Sequence, residues 1–528
     1  MRDPAPADPP DETGRGWVVA VFAAAVLVRA AAAWPPGKFP ADPDALLTGM
    51  RTLDILQARF HVFHTYVRFG CVESYLHAPF VALLGPTRLA VTFAPLIEGV
   101  LAVMCLLALA RRILPKPAAL LATLFFAVPA ARFFGATRLP TGYATVLACG
   151  VATLALAAIW ADRPRAITAA ALGLSAGLGL WCSILTLSCA AAAALWLLLA
   201  ARRLPLRRLL LPAIAGFVLG ALPWIAFNAA HGFESLRNNY GATPTHSLAS
   251  ALSNLLYGLT GGFVELVGGP SSPGAIPALA ALAVAFHAIA LVWFLAGGLR
   301  GEFGRAWALP ALAALFSLVF FSISSAGNYR SATIRFFVLC GPLVAVSAGA
   351  LAWALWRRAR IAGVLLTAGL VGLHLGGYEM PWSETRTLRR EAAADDARLL
   401  AFLEERRIGA IIGDYWSVYS FNYLSGGRVR AISADPAVDY HAYGDRLPAS
   451  GVRWALVGDE PGVVERWAAR AAPRGERFRV GRYTVLLPDP NPPGETPAEF
   501  QRRLQLAFLL PERVVKADTK EWPLALWR

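Results

Sequence analysis

Two carboxylates stand two residues apart in the run Ala41-Asp42-Pro43-Asp44-Ala45-Leu46-Leu47, just past the first long apolar stretch. A carboxylate held beside an acceptor hydroxyl can take its proton, and such base catalysis contributes roughly 10²–10⁴-fold. Asp44 is the candidate base, with Asp42 to assist it or to join a metal site. The same residues also read as a helix start, with Asp42 the cap, Pro43 the first helical residue and Asp44 in a dipole-favoured second position. Capping and catalysis are compatible. Glu73 is a third carboxylate, beside a short apolar piece; its plainer reading is a surface residue paired with Arg68. Arg138, Arg330 and Arg335 fall near the ends of apolar runs, where an arginine either snorkels to water or binds an anion with its planar fork. Glu98 lies inside an apolar run, where a hydrogen bond to a neighbouring helix is expected, and Arg29 is close enough to a run's end to snorkel. His61, His64 and His77 share the segment after Asp44, but their spacing fits no compact metal motif.

The elements that hold these residues must lie in a membrane. Of 528 residues 57% are apolar and only 16% charged, against about 25% charged in a soluble domain, and the mean hydropathy is +0.51. Runs beginning at Trp17, Val91, Thr141, Leu209, Ile276, Ala306 and Ile361 are long enough to cross a bilayer as helices, which takes about 20 residues. The expected fold is an all-α polytopic membrane domain of about eleven transmembrane helices, followed by a C-terminal α/β domain. The net charge of +15 does not point to nucleic acid, because the arginines occupy short turns between apolar runs. Arg111, Arg112 and Lys116 share one turn, and Arg163 and Arg165 the next. Further along come Arg202, Arg203, Arg207 and Arg208, then Arg300 and Arg305, then Arg357, Arg358 and Arg360. With a cytoplasmic N-terminus all of these fall on the cytoplasmic side, as positive-inside orientation requires.

The expected organisation is a cytoplasmic tail over 1–16 and a transmembrane domain over 17–377. Two long outer segments lie within it, at about 35–87 and 229–277, and an outer α/β domain with a tail occupies 378–528. Within the first outer segment, Leu46, Leu47, Met50, Leu53 and Leu56 recur at helical spacing, which predicts an amphipathic helix lying on the membrane surface. After Tyr378 charge returns and the patterns alternate. Helices are expected at 396–407, 417–424 and 462–472, strands at 408–413, 428–433 and 452–457, and a hairpin at 478–487. Five of the six cysteines fall in apolar runs as small hydrophobes, so neither a disulfide framework nor a zinc site is expected.

The segment "DALLTGMRTLDILQARFHVFHTYVRFGCVESYLHAPFVALLG" from Asp44 to Gly85 resembles the first periplasmic loop of bacterial family 39-type glycosyltransferases of the GT-C superfamily, the group that includes protein mannosyltransferases and aminoarabinose transferases. Asp44, Gly49, Ile55, Leu56, Phe60, Val62, Phe63, Glu73, Tyr75 and Pro79 carry the match. "RLPTGYATVLACG" from Arg138, "GLGLWCSILTL" from Gly177, "GALPWIAFNAAHGFESLRN" from Gly220, "IRFFVLCGPL" from Ile334 and "GDYWSVYSFNYLSGGRV" from Gly413 extend it. Ala45 stands where the family usually has Glu, and Tyr66, Val67 and Arg68 replace a Gly-Gln-rich turn. The resemblance implies transfer, with inversion, of a sugar from a polyprenyl-phosphate-linked donor to a glycan, lipid or protein acceptor at the outer face of a bacterial plasma membrane. Asp44 would be the base, Glu73 and His64 would contact sugar, acceptor or headgroup, and Arg335, Arg138 or Arg330 would hold the lipid phosphate. The resemblance fixes no cofactor and leaves a divalent metal open. The alternatives are a lipid-carrier flippase or transporter, which would carry broken helices in matching halves, and a non-catalytic binder of polyprenyl-phosphate sugar, for which Ala45 speaks.

Overall fold

The computed structural model describes residues 12–33, 43–64, 69–138, 140–199, 206–237, 247–268, 277–324, 334–378, 384–414, 418, 420–433, 452–459, 464 and 475–488. Its helices are α1 (Glu12–Ala33), α2 (Pro43–Leu56), α3 (Val72–Leu84), α4 (Phe93–Ala110), α5 (Lys116–Ala127), α6 (Ala131–Arg138) and α7 (Tyr143–Asp162). These are followed by α8 (Ala166–Cys182), α9 (Leu187–Leu199), α10 (Leu206–Ala230), α11 (Glu234–Arg237), α12 (Leu248–Tyr257), α13 (Phe263–Val267) and α14 (Pro277–Leu299). The last are α15 (Ala308–Ile323), α16 (Ile334–Phe337), α17 (Gly341–Arg358), α18 (Arg360–Gly376), α19 (Glu384–Glu405) and α20 (Phe421–Leu424).

Six of the described helices are long and apolar enough to cross a membrane: α4, α7, α10, α14, α15, and α16 continued into α17; the bent pair α5–α6 makes a seventh. The chain is a multi-pass membrane protein. Four shorter apolar helices, α1, α8, α9 and α18, pack into the same bundle.

Small residues set the closest packing. Gly173 and Gly177 of α8 face Gly216 and Gly220 of α10, each pair at i, i+4. A Cβ on Gly173 would lie 1.9 Å from the Ala213 carbonyl oxygen, and one on Gly216 would lie 2.0 Å from that of Ala170. The two backbones therefore touch, which is how helices gain contact in lipid where burial itself offers no drive. Gly216→Leu should lower the melting temperature in detergent, as overpacking costs about 1–3 kcal/mol. Gly369→Ala, with nothing within 4 Å, should leave it unchanged, and equal melting of the two variants would refute the close approach.

The α5–α6 span breaks by 68° at Val128–Pro129–Ala130. A break in lipid frees carbonyls that must find donors. Here Arg29 Nη1 of α1 donates to the Ala127 oxygen at 3.2 Å, His374 Nδ1 of α18 meets that of Val128 at 2.8 Å, and the Tyr378 hydroxyl donates to that of Pro129 at 2.5 Å. Arg29 is thus buried, 6% exposed, on the broken helix. It does not snorkel.

Among the described residues, the basic turns at 111–116, 162–165 and 300–305 gather at one end of the bundle. The Gly304 N–H donates to the Ile113 oxygen at 3.0 Å, Arg112 pairs with Asp162 at 2.8 Å, and Trp196 Nε1 donates to the Arg305 oxygen at 3.3 Å. At the other end sits a five-stranded sheet formed by β1 (Ala410–Gly413), β2 (Arg430–Ser433), β3 (Trp454–Gly458), β4 (Gly475–Val480) and β5 (Tyr483–Pro488). Its order is β2-β1-β3-β5-β4, with β1 parallel to β2 and β3, and β5 antiparallel to β3 and β4. Leu399 and Leu403 of α19 and Phe421 of α20 pack on it with Ile411, Ala455 and Val485. Arg88, just before α4, pairs with buried Asp396 of α19 at 2.6 Å, and Asp396 also accepts from Arg482 at 3.0 Å and Tyr483 at 2.5 Å.

Two expectations change. First, α2 is covered on more than one face. Its Leu46, Leu47 and Met50 pack on Val81 of α3 and on Tyr423 of α20, and a Cβ on Gly49 would meet the Tyr423 ring at 2.6 Å. Thr48, Arg51, Thr52 and Asp54 are buried as well, because α3 and the sheet unit close on it from different sides. Second, the Gly- and Ser-rich stretch read as an outer loop over 229–277 is largely helical where described, with α11, α12 and α13 and a π turn at Gly258–Gly262. In the sheet unit the expected helix at 462–472 falls almost entirely outside the described residues, and of the one at 417–424 the structure describes α20.

Candidate functional site

The end of the bundle that carries the sheet unit is organised around the turn between α6 and α7. Gly142 there has φ +85°, open to glycine and costly for other residues, and a Cβ on it would meet the Phe69 ring at 3.2 Å. Its N–H donates to Glu73 Oε2 of α3 at 2.6 Å. Two residues earlier in the turn, the Pro140 oxygen accepts from the Thr48 hydroxyl of α2 at 2.7 Å. Thr52 and Ser74 then tie α2 to α3, through bonds to the Ser74 and Thr48 carbonyls at 3.0 Å each. One turn thus anchors α2, α3, α6 and α7 together.

Arg138 ends α6, half-buried, and α6 packs against α13 and α16. Across that contact Arg132 of α6 pairs with Glu265 of α13 at 3.2 Å. Burial pushes the Glu265 carboxyl upward, and Arg132 opposes it. Arg335 is on α16, also half-buried. Asp44 is in the first turn of α2, one helical turn before Thr48; its side chain lies outside the described residues, as do Asp42 and Arg330 entirely. The structure therefore brings the helix bearing Asp44 to the turn that follows Arg138, and the helix bearing Arg335 to the helix bearing Arg138.

Glu73 is not a surface residue. It is fully buried, and desolvation first, then the nearby Glu98 carboxyl, push its carboxyl well above the ordinary 4.5, with the Gly142 bond opposing. Burial thus shifts its titration toward the neutral acid. Glu98 of α4 accepts from the Thr145 hydroxyl of α7 at 2.7 Å, the neighbouring-helix bond expected of it.

Past α2 the chain turns back as a short hairpin onto the end of α8. Phe63 bridges Gly70, the Gly70 N–H donates to the Cys182 oxygen at 2.9 Å, and Trp181 Nε1 donates to that of Val62 at 2.8 Å. The His64 carbonyl accepts from Arg51 Nε at 2.9 Å. Burial, then Arg51, push the His64 ring down to about 3, and burial takes His77 to about 3. Both are neutral bases at physiological pH. His61 lies 3.2 Å from Asp54, which also meets Arg51 at 3.4 Å and Arg59 at 3.3 Å. Among the described residues no three His, Cys, Asp or Glu side chains come together as a metal site.

No protein-family model matches the sequence, and no curated protein matches it either. Solved structures do. ArnT from Cupriavidus metallidurans bound to undecaprenyl phosphate superposes with a TM-score of 0.62 at 14% identity, over 89% of this chain and 98% of that one. The oligosaccharyltransferase of Archaeoglobus fulgidus in its apo form superposes with a TM-score of 0.50 at 13% identity, over 84% of this chain and 69% of that one. Both are membrane glycosyltransferases of the GT-C superfamily. The chain has the GT-C fold.

Within this GT-C fold, Ala45 is 4% exposed and packed among neighbouring side chains. Sequence reading missed Thr48, Gly142 and the Arg132–Glu265 pair as parts of this end. Of these only Glu265 left a signal, as a lone acid in the apolar stretch "YGLTGGFVELVGG".

Proposed function

We propose that the protein is a membrane glycosyltransferase that moves a sugar from a polyprenyl-phosphate-linked donor to an envelope acceptor on the outer face of a bacterial plasma membrane, with inversion at the sugar carbon. The observation that carries the reading is the GT-C likeness over nearly the full length of ArnT, whose structure holds undecaprenyl phosphate. Fold alone does not specify function, so the chemistry rests on the outer end. Asp44 is the base that deprotonates the acceptor hydroxyl. Arg335 and Arg138, on helices that pack together, neutralise the departing lipid phosphate. Glu73 acts through the Gly142 turn as a positioning residue, and His64, a neutral ring at working pH, is suited to polar contact with sugar or headgroup. The sheet unit lies at the end opposite the basic turns, which supports a cytoplasmic N-terminus and an outer 378–528 unit under the positive-inside rule.

The direct test reconstitutes the full chain in vesicles with radiolabelled polyprenyl-phosphate sugars and a membrane extract as acceptor. Label moving from the lipid fraction to acceptor supports the reading. Donor scrambled between leaflets without transfer would replace it with a flippase, and donor bound but never transferred would replace it with a binding protein. Arg335→Ala should weaken donor binding about 10- to 100-fold, as loss of a charged hydrogen-bond partner costs about 1.5–3 kcal/mol. Unchanged affinity in a donor titration would remove Arg335 from the phosphate site.

A further inference from the structure

Away from the outer site, a cleft of about 480 Å³ opens between the α4–α5 and α7–α8 turns, lined by Arg112, Ile159, Asp162, Arg163, Arg165 and Thr168. Asp162, the one acidic residue in it, is paired with Arg112 at 2.8 Å, so Arg163 and Arg165 make the cleft net positive. An apolar stripe leads to it: Ile97, Leu101 and Met104 of α4 point outward at i, i+4 and i+7, each 43–50% exposed, and end two turns before Arg111 and Arg112. Ile167, between Arg165 and Thr168, is 77% exposed. Cations and a hydroxyl thus stand at the headgroup end of a surface that otherwise faces hydrocarbon.

We propose that this cleft binds the phosphate of an anionic phospholipid in the adjoining leaflet, with an acyl chain along the Ile97–Met104 face of α4. Arginine forks bond phosphate oxygens in pairs, and Thr168 can donate one more hydrogen bond. A soluble phosphate would use the cleft alone; the apolar stripe is what selects a lipid. Each arginine near a membrane surface contributes about fivefold in affinity for an anionic lipid, from roughly 1 kcal/mol apiece.

The test measures lipid retained by the full-length protein in native mass spectrometry, together with its melting temperature, using phosphatidylglycerol, phosphatidylcholine and inorganic phosphate as probes. Phosphatidylglycerol should bind and stabilise, and the double variant Arg163→Gln/Arg165→Gln should bind it about 25-fold more weakly. The variant Arg357→Gln/Arg358→Gln, which removes the same charge from another basic turn, should bind as the parent does. The proposal is overturned if phosphatidylcholine is retained as well as phosphatidylglycerol, or if the two double variants behave alike. It is overturned too if inorganic phosphate raises the melting temperature as much as the lipid does.

Discussion

Asp44→Asn is expected to lower sugar transfer by about 10²–10⁴-fold, the contribution of a positioned carboxylate base, while the protein still inserts and binds donor. The amide cannot accept a proton at neutral pH but keeps the size of the acid. Losing one negative charge in the first turn of α2 costs about 0.3–1 kcal/mol of dipole interaction. That is small beside the packing of Leu46, Leu47 and Met50 on α3 and Tyr423. The fold should therefore persist, and initial transfer rates can be read against donor binding in one preparation. A variant with parental turnover would remove Asp44 as the base. A variant that loses donor binding and transfer together would make it a binding residue.

The second large effect is expected at Glu73, where two substitutions should part company. Glu73→Gln keeps an oxygen to accept from Gly142 and resembles the neutral acid that the buried site favours, so stability and transfer should stay near those of the parent. Glu73→Ala leaves the Gly142 N–H buried without that acceptor, at about 1–3 kcal/mol. It should also cut transfer about tenfold or more, because the turn that sets α2 against α6 loosens and small displacements at a reacting centre are costly. The pH dependence has a definite sign. Glu73 has a raised carboxyl pKa in the folded protein, so its contribution to stability is whole below the ordinary 4.5 and declines as pH rises toward the raised value. The slope is at most about 1.4 kcal/mol per pH unit. The parent should lose melting temperature over that window faster than Glu73→Gln does. Parallel melting curves, or equal transfer by the Ala and Gln variants, would refute the positioning role.

Much of the fold was legible without coordinates, and the reason is local. An apolar run of about 20 residues is read from its own composition, and basic turns from theirs. Pro43 and Asp44 mark the start of α2 by rules that act within one helical turn. The hairpin of β4 and β5 and the strands β1 to β3 showed in short alternating patterns. The Gly173/Gly177 and Gly216/Gly220 seam was present in the sequence too, but nothing local says that those two faces meet.

The candidate site was legible only in part. Its residues could be named, yet their surroundings could not. Glu73 reads as a surface acid beside an apolar piece, and only its bond to Gly142, 69 positions away, makes it a buried support. Arg29 reads as a snorkelling cation, and only the broken α5–α6 span, 98 positions on, explains its burial.

What the sequence by itself determined was the solvent of each segment: lipid for the long apolar runs, water for the arginine turns and for much of the chain after Tyr378. Hydrophobicity is additive along a short stretch, so no partner is needed to read it. What only the tertiary structure decided was the pairing of polar groups inside that frame: Thr48 with Pro140 across 92 positions, and Arg88 with Asp396 across 308. A buried donor or acceptor must find a partner wherever the fold supplies one, and at those separations no local pattern records the choice.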